Sequence, residues 1–163
     1  MKTLKSYVYG TWHEATTGLV PLLNPSTEEV VAMAGSDGVD FGAVLAHARD
    51  KGGPALRGMT FAERGALLKE MSKVMREHRD ELLALSAQNN GTTIPDGSFD
   101  IDGASGTLAY YAMQGKVLGD RRLLAEGDGV QLAKTEAFWA RHALVPRPGV
   151  AVHINAFNFP AWG

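Results

Sequence analysis

The chain has no cysteine among its 163 residues. Nothing within it can form a disulfide, a thiolate metal site or a cysteine nucleophile. No apolar run approaches the roughly 18 residues that a membrane-spanning helix needs. The first residues, MKTLKSYVYGTWHE, carry two lysines but no apolar core of a secretory leader. The formal net charge is only -2, and no basic run is interleaved with aromatics. Neither nucleic acid nor an anionic membrane is therefore an expected partner. The phosphate-cradling patterns G-x-G-x-x-G and G-x-x-x-x-G-K-[ST] are absent, as is the nucleophile elbow G-x-S-x-G. The five histidines (His13, His47, His78, His142 and His153) include no pair at the spacing that sets two imidazoles on one helix face. What remains is an expectation of a soluble, cytoplasmic globular protein. The chain also stops on Ala161-Trp162-Gly163, straight after an apolar run, which reads as a truncated chain.

The residues present predict an α/β order. Residues 7–12 and 30–34 read as two short strands forming an antiparallel pair, the second after the turn signal Asn24-Pro25-Ser26-Thr27. A helix is expected from Val39, N-capped by Asp37, with Gly52-Gly53-Pro54 ending or kinking it. Thr60 and Glu63 form a capping-box pattern. It opens one long helix with Leu67, Met71, Val74, Met75, Leu82 and Leu85 as its apolar stripe, closed at Asn89-Asn90-Gly91. Charged residues 76–81 read as its solvated face. Residues 91–97 read as a loop, and residues 102–116 as a third helix with Leu108, Tyr111 and Ala112 inward. Asp100 and Asp102 read as helix caps or solvated loop charges. Residues 119–129 read as loop, and residues 130–145 as one or two strands of a projecting hairpin. After the break at residues 146–149, residues 150–154 read as a strand buried on both faces, as in a parallel sheet, with His153 a hydrogen-bonded core residue.

The chemistry concentrates in Asn155 to Trp162. Asn155 and Asn158 follow the last strand residue, interleaved with Phe157 and Phe159, and Pro160 comes next. In open α/β proteins ligands bind at the carboxyl ends of the strands. An asparagine amide there can donate to a developing oxyanion. Equally, Asn158 can cap a following helix with Pro160 in its first turn. The residues alone do not choose between the two.

The pattern P-G-V-x-x-x-I-x-x-x-N-F-P is matched by Pro148, Gly149, Val150, Ile154, Asn158, Phe159 and Pro160. It resembles the stretch that opens the nucleotide-binding domain of the aldehyde dehydrogenase superfamily. NPSTEEVVA resembles that family's N-P-x-T strand-turn segment, and Arg64 and Leu68 match its R-x-x-x-L helix. KGGPALRGMTFAER, SFDIDGASGTLAYYA and INAFNFPAWG resemble the semialdehyde dehydrogenases that act on CoA thioesters in aerobic aromatic degradation, by the phenylacetate or the benzoyl-CoA route.

The resemblance implies an α/β aldehyde dehydrogenase-like fold in three parts. Residues 1–118 would be the N-terminal strand pair and helices of the cofactor-binding domain. Residues 119–147 would be a β oligomerisation arm, and residues 148–163 the first strand of a Rossmann-like sheet. Asn158 would hold the oxyanion, and Ile154, Asn155, Ala156 and Phe157 would line the cofactor cleft. Most of the family has Pro-Trp where this chain has Ala156-Phe157, which puts side-chain contacts at those two positions in question. The implied reaction oxidises a CoA-linked semialdehyde with NADP, or NAD in its place, in a homo-oligomer. The family's nucleophilic cysteine and general-base glutamate match no residue here, so the chain alone is expected to be inactive. A non-catalytic interaction or assembly module is the alternative reading.

Overall fold

The computed structural model describes residues 1–163. Four small two-stranded antiparallel sheets flank a group of helices. The first sheet is a hairpin of β1 (Ser6–Val8) and β2 (Thr11–His13). Residues 7–12 are thus not one strand. Tyr9 and Gly10 both take positive φ, and the chain reverses there. The second sheet pairs β3 (Val20–Leu23) with β4 (Val30–Ala34). β4 lies where the sequence placed it, but its partner is β3, whose Pro21 masked it as a strand. The turn between them is the one the sequence signalled. Asn24 Oδ1 accepts from the N–H of Ser26 and Thr27.

α1 (Phe41–His47) is capped by Asp40, whose carboxylate accepts from the Ala43 N–H, and not by Asp37. Asp37 instead ties the preceding turn to the first hairpin. It accepts from Thr17 Oγ1 through its side chain, and its carbonyl meets His13 Nε2. At Gly52-Gly53-Pro54 the helical path widens rather than ends. A π-helical turn (Ala48–Gly52) leads directly into α2 (Gly53–Gly58), with Pro54 in its first turn.

α3 (Phe61–Glu77) carries the complete capping box. Thr60 N–H donates to Glu63 Oε2 at 2.7 Å, and Glu63 N–H to Thr60 Oγ1 at 3.2 Å. The expected single helix breaks at His78, and α4 (Arg79–Asn90) follows, closed by Gly91 at φ 68°. The third helix starts well before residue 102, across Gly97 and through Gly103 and Gly106. α5 (Ile94–Leu118) begins inside the presumed loop, capped by Thr93 and with Pro95 in its first turn. Glycine propensity lost here to tertiary packing.

The packing explains this. α5 lies chiefly against α3, and their closest approach is at two glycines. A Cβ on Gly115 would fall 2.5 Å from the Phe61 carbonyl oxygen and 2.9 Å from Gly65 Cα. The buried side of α3 is therefore Gly65 and Ser72, not the apolar stripe. Leu67, Met71 and Val74 stay about half exposed, as does Leu85 on α4. On α5, Ala112 is buried as expected, Leu108 is half-buried and Tyr111 is exposed. Ser72 Oγ donates to the buried carbonyl of Ser105 at 2.8 Å and accepts from Arg76. Within the charged run, Arg79 forms a bidentate pair with Asp102 at 2.7 Å for both bonds, joining α4 to α5. Each partner favours the other's charged form: the hydrogen bond to Asp102 raises the Arg79 pKa, and the bond from Arg79 lowers that of Asp102.

Residues 119–145 form a nested β arm. β5 (Leu124–Ala125) pairs with β8 (Ala143–Leu144), and β6 (Val130–Gln131) with β7 (Trp139–Ala140). The hairpin is as expected, though its first strand lies in the presumed loop. No helix is long and apolar enough to cross a membrane.

The last segment departs most from expectation. Residues 150–154 form no strand, and Val152 and Ile154 are 78% and 87% exposed. His153 is exposed too, so it is not a core residue. A parallel strand forms only against a neighbouring strand that takes up its amides and carbonyls. No strand of this chain lies beside it.

Candidate functional site

Residues 154–163 fold into a compact turn against α5. Phe159 N–H donates to the Ala156 carbonyl at 3.2 Å, and Asn155 Nδ2 reaches across to the Pro160 carbonyl at 2.9 Å. No helix forms after Asn158, so it caps none here.

The turn's far end is fastened to α5 by polar groups. Ala161 N–H donates to Asp100 Oδ2 at 3.0 Å, and Trp162 N–H to Asp100 Oδ1 at 2.8 Å. Trp162 Nε1 donates to Thr107 Oγ1 at 2.9 Å. Phe99 meets Phe159 and Trp162 edge-on, with centroids 6.1 and 5.0 Å apart. Gly103 lies under the indole, where a Cβ would come within 2.5 Å of the ring. Asp100 is thus neither a cap of its own helix nor a solvated charge. It is 2% exposed, and both its oxygens are used. Burial of such a group requires this satisfaction.

The candidate residues divide between two grooves. Ile154, Asn155 and Ala156 line a shallow groove of about 620 Å³ with Val152, Phe159 and Trp162. Phe157 and Asn158 line another, of about 420 Å³, with Pro25, Asn89, Asn90 and Pro160. The second groove joins three distant stretches: the Asn-Pro turn after β3, the end of α4 and the terminal turn. Pro25 reaches it because Gly91 has no side chain to push it away, a Cβ there falling 2.9 Å from Pro25 Cγ. Asn158 is exposed at this groove, and the bonds that hold the turn come from Asn155, Ala161 and Trp162 rather than from it.

Sequence reasoning missed Asp100, Gly103 and Thr107. Their spacing, i, i+3, i+7, places them on one face of a helix. That signal could be read only once the helix was known to begin at Ile94.

A nicotinamide cofactor can be tested against these residues. Residues 150–155 make no backbone hydrogen bonds, so their carbonyls are free to accept from a ribose. The exposed apolar side chains of Val152 and Ile154 offer a face for a ring. The segment fits one wall of such a site.

The chain is similar to known proteins along most of its length. A model of the aldehyde dehydrogenase family matches residues 12–162. Over 98% of its length the chain is 46% identical to 3,4-dehydroadipyl-CoA semialdehyde dehydrogenase of Aromatoleum evansii, covering 31% of that protein. An NADP dependent enzyme of Escherichia coli superposes with TM-score 0.64 at 23% identity, over 79% of this chain and 25% of that one. A betaine aldehyde dehydrogenase of Staphylococcus aureus in complex with NAD+ gives TM-score 0.59 at 20% identity, over 66% and 22%. At these identities the likeness to solved structures shows the fold. The chain spans under a third of each of these proteins.

Proposed function

Since the chain belongs to the aldehyde dehydrogenase family, we propose that it forms the N-terminal part of a cytoplasmic NAD(P)-dependent enzyme that oxidises a CoA-linked semialdehyde to its carboxylic acid in aromatic-compound degradation. The observation that carries this reading is the 46% identity along essentially the whole chain to an enzyme named for such a substrate.

In this reading Asn158 donates its amide N–H to the oxyanion that develops on the aldehyde oxygen. Ile154, Asn155, Ala156 and Phe157 form one wall for the cofactor. The Asn155 amide N–H is committed to Pro160, so the contribution of that residue is its backbone. NADP+, with NAD+ the alternative, supplies the hydride acceptor when bound. Residues 1–118 support the cofactor wall and residues 148–163 open the nucleotide-binding part. Residues 119–147 form an arm through which copies assemble, its Phe138, Trp139 and Val145 being more than half exposed.

The test is expression of the whole reading frame that carries these residues. Reduction of NADP+ or NAD+ is followed with a CoA-linked semialdehyde and with its CoA-free counterpart. The expected result is aldehyde-dependent reduction, faster with NADP+ and with the CoA-linked substrate. Asn158→Ala should lower kcat by about 10²–10³-fold, as loss of one oxyanion donor does elsewhere. No aldehyde-dependent reduction with either nucleotide overturns the reading.

One sequence fact favours the alternative for these residues taken alone. They contain no cysteine, so the family's nucleophile cannot come from them. The 163-residue chain by itself is expected to give no turnover, acting only as a structural module.

A further inference from the structure

The terminal turn is anchored at one end only. Before Asn158, residues 150–155 make no backbone hydrogen bond. After it, two successive N–H groups, of Ala161 and Trp162, converge on the two oxygens of one carboxylate. That carboxylate, Asp100, is buried near the start of α5 and is 61 and 62 residues away in sequence. Charge-assisted bonds of this kind are short and directional, and here they fix the turn in translation and in rotation. Trp162 adds its bond to Thr107 and packs over Gly103, so the same face of α5 carries the whole attachment. Asn158 makes none of these bonds. The position of its amide follows from the backbone it sits on, three residues before the anchor.

We infer that Asp100 is a positioning residue: by holding the Ala161 and Trp162 amides, it fixes where Asn158 presents its N–H. The inference rests on the oxyanion role proposed for Asn158. A carboxylate suits the task because it accepts at both oxygens. Asparagine of the same shape has one oxygen to offer and would set its amide N–H₂ against one of the two donors.

The test uses the whole enzyme carrying these residues, with kcat and aldehyde KM for Asp100→Asn, Asn158→Ala and the double variant, and hydrogen exchange at Ala161 and Trp162. Displacement of a reacting group by about 1 Å can cost on the order of 10²-fold. Asp100→Asn is accordingly expected to lower kcat at least about tenfold with aldehyde KM little changed. Exchange at the two amides should quicken, and Asp100→Glu should recover only part of the rate. The double variant should be no slower than Asn158→Ala alone. If Asn158→Ala leaves kcat unchanged, the oxyanion reading fails and the inference falls with it. If Asn158→Ala is slow but Asp100→Asn is not, or if the two losses multiply, the positioning role alone is overturned. Should Asp100→Asn not fold, Asp100→Glu carries the test, since it keeps the carboxylate but shifts it by one methylene from the Ala161 and Trp162 amides. A loss confined to kcat supports the inference and an unchanged kcat overturns it.

Discussion

Single side chains set several boundaries in this molecule. Thr60 and Glu63 start α3 by exchanging bonds across its first turn. The bond from the Thr60 backbone N–H, and then the one from its side chain, hold the Glu63 carboxyl below its ordinary pKa. The linked stability is present above the unfolded-state value and is lost as pH falls through the lowered folded value. Glu63→Gln keeps an acceptor for the cap but does not titrate. Acidification from neutral pH to below the ordinary carboxylate range should therefore lower the thermal midpoint of the parent more than that of Glu63→Gln. Equal slopes in melts across that range would refute the assignment. Asp102 and Asp50 are lowered in the same direction by Arg79 and Arg49 and remain in both proteins, so the difference isolates the cap.

Pairs of helices are governed by size more than by hydropathy. α3 and α5 cross where Gly65 and Gly115 remove side chains from the contact. Gly115→Ala places a methyl against the Phe61 carbonyl, which is backbone and cannot swing aside. Overpacking of this kind costs about 1–3 kcal/mol, more than the roughly 1 kcal/mol that alanine gains over glycine in a helix. Gly106 lies in the same helix, exposed, with nothing within 4 Å of a Cβ. Gly106→Ala should stabilise by up to about 1 kcal/mol. Opposite signs for the two substitutions in urea unfolding are the expected outcome; the same sign would mean that the crossing is not the constraint. The same crossing explains the misread stripe. The periodicity of Leu67, Met71 and Val74 is genuine, but it marks the face of α3 that α5 does not cover.

Across the whole molecule, too little is buried for a self-sufficient core. Only 12 of 163 residues are buried, and the accessible surface is 11827 Å². A compact monomer of this mass, 17.4 kDa, would expose about 7,900 Å². Arg64 points the same way: its Nε and Nη2 are buried without an acceptor, although its guanidinium lies 4.6 Å from the Phe61 ring centroid. Each unmet donor costs about 1–3 kcal/mol. Apolar side chains on α3, α5, the arm and the terminal segment are exposed to solvent. The 163-residue chain on its own should bind an apolar fluorescent dye and self-associate with rising concentration in sedimentation. A dye-silent monomer would show instead that these faces are stable in water.

Local signals were sufficient for the features that depend on a few neighbouring residues: the Asn24 turn, the Thr60–Glu63 box, the Gly91 cap and the family pattern ending in Asn158, Phe159 and Pro160. Each is settled by chemistry within a few positions of itself. Elements that need a distant partner were not legible. Val20–Leu23 became a strand by pairing with Val30–Ala34, and residues 150–154 did not, for want of a neighbouring strand. α5 absorbed its glycines because α3 needed them there. Asp100 acquired its task because the fold brings Ala161 and Trp162 across some 60 residues to its two oxygens. The sequence by itself determined the family to which the chain belongs. The tertiary structure decided which carboxylate takes the Ala161 and Trp162 backbone donors, because a buried charge takes its meaning only from the donors the fold delivers to it.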